Sequence, residues 1–162
     1  MVGQVGSEKL LWAKTVAVQL MHNHGLEGWS FSLNKNLRRA GVCFYPFTGK
    51  PGRIELSVHF IELNDEAEIR DTILHEIAHA LTGPDHGHDE VWKAKCIAIG
   101  ARPERCYHGN VNMPLGAWRA ECPACNKRFH RHRRPRTLTG WHHSPCGQLN
   151  GGLVWAHRDQ EE

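Results

Sequence analysis

The sequence predicts an α+β fold in two parts. A domain over residues 7–108 places a small three-stranded sheet beside a helix that carries two histidines. A module over residues 117–156 then folds around four metal ligands. Three observations predict this. The stretch Leu74 to Trp92, LHEIAHALTGPDHGHDEVW, sets an HExxH pair in apolar surroundings and follows it with more metal-binding side chains. Three short runs before it read as strands. Near the end, a C-x2-C pair and an H-x2-C pair stand 17 residues apart. A chain of 162 residues suits one modest domain plus a small appendage.

Taken in order, residues 1–6 are expected to fray. Ser7-Glu8 can cap a helix that runs to about His24 and is closed by Gly25. Leu10, Ala13, Ala17 and Leu20, with Leu11, Val18 and Met21, form its apolar side. His22 and His24, at its end, are favoured there by the helix dipole. Trp29 to Asn34 alternates apolar and polar, as a half-buried strand does. Lys35 to Arg39 is a basic connection. Ala40 to Tyr45 reads as a second strand, in which Gly41 allows close backbone approach and Cys43 is a small buried hydrophobe. Thr48 to Gly52 is a turn cluster. Arg53 to Phe60 alternates as a third strand, with Ile54, Leu56, Val58 and Phe60 inward and Glu55, Ser57 and His59 outward. An edge of such a sheet can take an extended peptide as an added strand.

The next helix has an acidic first turn and a cap at Asn64 or Asp65. Ile69, Ile73 and Ile77, with Leu74, Ala78 and Leu81, give it an apolar stripe, and Gly83-Pro84 stops it. His75 and His79 stand at i and i+4, on one face. Two nitrogens so spaced can reach one tetrahedral zinc at about 2.0–2.1 Å. Glu76 follows the first of them and can take a proton from a metal-bound water instead of ligating the metal. A catalytic zinc needs a third protein ligand and an open position. Asp85, His86 and His88 are the candidates. A second helix begins around Gly87 to Trp92, with Val91, Trp92, Cys96 and Ile99 as its inner face and Gly100 as its stop. A ligand at the start of a packed helix is held better than one on a loop tip, which ranks His88 ahead of His86 and Asp85.

HEIAH followed by Gly87-His88-Asp89-Glu90-Val91-Trp92 resembles the SprT-like zinc metallopeptidases, the family that includes Spartan. In that family a Gly-His pair after HExxH supplies the third zinc ligand, and an aromatic follows a few residues later. The resemblance therefore implies His75, His79 and His88 as ligands, Glu76 as general base and Trp92 as the aromatic. It further implies a zincin-like metalloendopeptidase acting near DNA, best known for removing proteins crosslinked to it.

After Gly100 the chain is irregular. Cys106 and His108 lack partners at ligand spacing, so a structural role is expected for them. Cys122, Cys125, His143 and Cys146 then form a pattern close to that of zinc ribbons, with His142 as the rival to His143. Four ligands leave no open position, so this zinc is structural. SprT-like proteins often carry a four-cysteine ribbon; this chain has His143 where the third cysteine is expected.

Between Cys122 and Arg158 there is no acidic residue, while Lys127, Arg128, Arg131, Arg133, Arg134 and Arg136 cluster there. Such an insert suits a phosphate backbone, and Trp141 and Phe129 can stack on unpaired bases. The expected partners are a protein substrate and DNA, single-stranded or damaged. The expected cofactors are two zinc ions, one catalytic and one structural.

No apolar run spans a membrane, and the N-terminus lacks the layout of a signal peptide. The six cysteines then read as reduced thiols, with Cys122, Cys125 and Cys146 binding metal, in a cytoplasmic monomer. A second oxyanion stabiliser could be Tyr107, His86 or His108. Two other functions fit the same residues: a DNA-binding zinc module without turnover, and a metal-dependent hydrolase of a non-peptide substrate.

Overall fold

The computed structural model describes residues 2–104 and 111–160, with side chains from residue 6 to residue 159. It divides into two compact units, Met1–Pro114 and Leu115–Glu162. Among the described residues no helix is long and apolar enough to cross a membrane.

The first unit opens with α1 (Val2–Asn23), which starts earlier than a cap at Ser7 would allow. Helix nucleation is costly but each added residue is cheap, so the ladder extends back through the residues expected to fray. At its other end Gly25 takes a φ of 72°. The Leu26 N–H bonds the Met21 carbonyl at 2.9 Å and the Gly25 N–H bonds that of His22 at 3.0 Å. This paired ending satisfies carbonyls the last turn would otherwise leave open. Ala13, Ala17, Leu20 and Met21 are buried, but Leu11 and Val18, expected inward, are exposed. Val18 lies one residue, about 100°, round the helix from the buried Ala17, and Leu11 two residues, about 200°, from the buried Ala13.

Strands β1 (Ser30–Asn34), β2 (Gly41–Phe44) and β3 (Arg53–Ser57) form one sheet in the order β1-β3-β2. β1 runs parallel to the central β3, and β2 antiparallel to it. β2 is therefore an edge strand. β3 does not run on to Phe60 as its alternation predicts. Ser57, expected outward, is fully buried; its hydroxyl donates to the Asn36 carbonyl at 2.6 Å and accepts from the Phe60 N–H at 3.4 Å. It thereby caps α2 (Val58–Leu63), which buries the adjacent pair Phe60 and Ile61 completely. Neighbouring residues on one strand point to opposite faces, so that pair favours a helix.

Helix α3 (Glu66–Thr82) is capped by Asp65, which accepts the Glu68 N–H at 2.9 Å. Ile69, Ile73, Leu74, Ile77 and Ala78 join the main core with Ile54, Leu56, Phe60 and Ile61. The chain reverses after Gly83, and Asp89 caps α4 (Glu90–Ile99) by accepting the Trp92 N–H at 3.0 Å. Trp92 and Cys96 are buried, whereas Val91, expected inward, is exposed, since it precedes Trp92 by one helical step. Arg102 then ties the end of α4 back to α3: its Nε bonds Asp71 at 2.9 Å and a terminal nitrogen bonds Glu68 at 2.5 Å.

The second unit is built from short pieces: β4 (Trp118–Glu121), β5 (Arg128–Arg131), β6 (Trp141–His142), a 3-10 turn at Ser144–Cys146, α5 (Gly147–Asn150), β7 (Gly152–Leu153) and β8 (Ala156–His157). They pair as β5-β4-β8 and β6-β7. Among the described residues its buried hydrophobic cluster is Ala120, Cys122, Leu153 and Trp155, with Trp118, Phe129, Leu138 and Trp141 packed partly buried against it. A module with so few buried side chains needs a further cross-link to hold its fold.

Candidate metal centres

Helix α3 carries His75 and His79 one turn apart, and the turn entering α4 brings His88 to them. The Nε2 of His88 lies 3.2 Å from that of His79 and 3.2 Å from that of His75. Nitrogens held at ~2.0–2.1 Å around a tetrahedral centre lie about 3.3 Å apart, so these three fit one zinc-sized ion. Burial, with each ring's histidine neighbours adding to it, lowers the His75 pKa to about 3 and the His79 pKa to about 4. Both rings are thus neutral near pH 7, the form that binds metal. The backbone of His86 works against the shift at His79, whose Nε2 faces the cluster. Trp92 walls the group, with its ring centroid 4.7, 5.1 and 4.6 Å from those of His75, His79 and His88.

Of the other candidates, His86 bonds Asp89 at 2.8 Å, and Asp85 is exposed; neither joins the three nitrogens. Cys106, Tyr107 and His108 lie outside the described residues.

Glu76 is 7% exposed and lies with the three histidines on a cleft of about 760 Å³. Burial pushes its pKa up to about 8, against the opposing pull of the Arg39 guanidinium. Arg38, Arg39, Gly41, Cys43 and Tyr45 line the same cleft. Cys43, expected to be a core hydrophobe, is half-buried on this wall. Burial first, then Glu76, raises its thiol to about 12; burial, Cys43 and Glu76 raise Tyr45 to about 12. Both stay protonated at neutral pH. In the sequence Arg38 and Arg39 read only as part of a basic connection. Nothing in their spacing says that the chain folds them over the metal motif.

In the second unit the ligand atoms of Cys122, Cys125, His143 and Cys146 lie within 4.8 Å of one another. His143 Nδ1 is 3.3 Å from Cys125 Sγ and 3.2 Å from Cys146 Sγ. Ligands at zinc's sulfur and nitrogen distances are separated by about 3.5 Å across a tetrahedral edge, so the donor set fits that ion too. His142 is not a member of this group; it pairs with Gly152 in the β6–β7 ladder. The cysteines involved are free thiols. Burial raises the Cys122 pKa, but hydrogen bonds from the amides of Ala124 and Cys125 and from His143 outweigh it and lower it overall.

The basic insert divides in two. Arg128 bonds Glu121 at 3.0 Å. Arg131 lies over the rings of Trp141 and Trp155, 4.4 and 5.1 Å from their centroids. These two cations, and one face of Trp141, are engaged within the module. Lys127 and Arg134 approach Phe129 and Trp118 more loosely, at 5.9 and 5.6 Å. Arg133 and Arg136 are exposed.

Comparison with known proteins adds two findings. The model of the SprT-like family matches residues 12–112, a span that holds HEIAH and His88 but stops before the cysteine module. The human germ cell nuclear acidic protein is 25% identical over 150 residues, covering 83% of this chain and 20% of that protein. The chain spans about a fifth of that relative's length.

Proposed function

This chain belongs to the SprT-like family, and from that membership and the geometry of the cleft we propose that it is a zinc-dependent metalloendopeptidase of zincin-like fold. One observation carries the reading: three imidazole nitrogens converge within an open cleft, with the carboxyl group of Glu76 beside them. His75, His79 and His88 would hold the catalytic zinc. When bound, that ion polarises an amide carbonyl and makes water easier to deprotonate. Glu76 accepts the proton of the attacking water and returns it to the leaving amine. Its burial supports this work, because a carboxylate poorly served by solvent is a stronger base.

Substrate backbone would pair with β2, an edge strand that lines the cleft. Main-chain pairing gives affinity with little demand on side chains, which suits an enzyme cutting many proteins. Arg38 and Arg39 on the cleft wall would favour acidic residues in the segment bound there.

Cys122, Cys125, His143 and Cys146 would hold the structural zinc of a ribbon. Arg133, Arg134 and Arg136, exposed and without acidic neighbours in sequence, support DNA as partner. The substrates would then be proteins bound or crosslinked to DNA.

The test compares wild type with Glu76→Gln for cleavage of unfolded casein and of histone bound to single-stranded DNA. Loss of both cleavages at equal zinc content supports the reading. Full zinc content with no cleavage by wild type would favour a DNA-binding zinc module. Double replacement of Arg133 and Arg136 by Glu should weaken DNA binding and flatten its salt dependence; unchanged binding would remove the DNA contact.

A further inference from the structure

We infer that Gly41 is a positioning residue for Glu76: β2 passes so close to that side chain that only a residue without a Cβ leaves the carboxylate where the chemistry needs it. The inference rests on the peptidase reading, in which Glu76 is the base. A Cβ added at Gly41 would lie 2.7 Å from Glu76 Oε1, 2.9 Å from its Cγ and 3.1 Å from its Cδ. The oxygen alone could swing aside about the terminal torsion. Cγ cannot, because its place is set by χ1, and few χ1 values are open on a helix. The carboxylate would have to leave with it.

Nothing else at this position asks for glycine. The backbone of Gly41 does not take the positive φ that favours this residue. A glycine inside a strand ordinarily weakens it, and often marks a close approach by another group. The strand cannot easily retreat either. Gly41 pairs with Leu56, which is fully buried, and the preceding Ala40 carbonyl accepts the Ser57 N–H at 2.8 Å. Gly52 offers the contrast. A Cβ there would strike the ring of Trp29 at 2.4 Å, so its missing side chain serves packing alone.

The experiment measures casein cleavage by wild type, Gly41→Ala and Glu76→Gln, and thermal unfolding of Gly41→Ala with Glu76 and with Glu76→Ala. Misplacing a reacting group by about 1 Å costs on the order of 10²-fold, so Gly41→Ala should lower kcat by about that factor, with KM and zinc content unchanged. In the Glu76 background the added methyl should lower Tm. In the Glu76→Ala background the steric conflict is gone, and the better strand former should raise Tm by roughly a few degrees. A Gly41→Ala enzyme with wild-type kcat would overturn the inference. So would an equal Tm shift in both backgrounds, which is what a purely structural glycine would give. Wild-type cleavage by Glu76→Gln would overturn the assignment of the base itself, while the Tm coupling would still report the contact between the two residues.

Discussion

His75, His79 and His88 are presented by α3 and the entrance of α4, elements that have an extensive apolar core of their own. Cys122, Cys125, His143 and Cys146 are presented by turns in a unit whose described residues form a buried hydrophobic cluster of just Ala120, Cys122, Leu153 and Trp155. The first group supplies three donors beside a cleft; the second supplies four donors and closes on itself. Where the fold already stands, a metal is free to keep a position open for chemistry. Where the fold is too small to stand, a metal would take all its ligands from the chain and serve as its core.

The largest expected effect tests the fold half of this contrast. Cys122→Ser together with Cys146→Ser should unfold the second unit, seen as loss of dispersed amide signals from residues 115–160. His75→Ala with His79→Ala should leave the first unit folded, because Ile54, Leu56, Phe60, Ile69, Ile73 and Ile77 remain packed. Loss of fold in the first unit, or its retention in the second, would break the comparison.

Next in size is the chemistry. Glu76→Gln should cost roughly 10²–10⁴ in kcat on casein, the usual range for loss of a general base, with thermal stability unchanged or raised. A smaller effect is expected for His143→Cys. A thiolate can take zinc at about 2.3 Å in place of the imidazole, so the module should keep both its ion and its fold. Competition with a chelator would measure it.

The smallest effect separates structure from binding within the module. Arg131→Ala removes a guanidinium stacked on two tryptophans and should cost about 1 kcal/mol of the module's stability. Arg133→Ala should leave stability unchanged, since its side chain is exposed. Urea unfolding of each variant decides this.

Much of the first unit can be read in its residues because helix period and capping act locally. The stripe of Ile69, Ile73 and Ile77, the Asp65 cap and the Gly83 stop all lie within one stretch, and they carry His75, Glu76 and His79 with them. The turn of β3 into α2 was harder to read. An apolar alternation through Phe60 competes there with a serine cap and a buried Phe60-Ile61 pair, and the pair prevails. Least legible was the cleft wall. Gly41 invites a close approach, but only the sheet order β1-β3-β2 brings Glu76 to it. In the second unit the spacing of the cysteines marks the metal group, whereas the seating of Arg131 on Trp141 and Trp155 depends on strand pairing across the module.

The most direct test is anomalous diffraction at the zinc edge from crystals of the zinc-loaded protein. The account predicts an ion bound by the Nε2 atoms of His75, His79 and His88 with a fourth ligand from solvent, and a second ion bound by three sulfurs and the Nδ1 of His143. A fourth ligand from the protein at the histidine site, or no ion there, would contradict it.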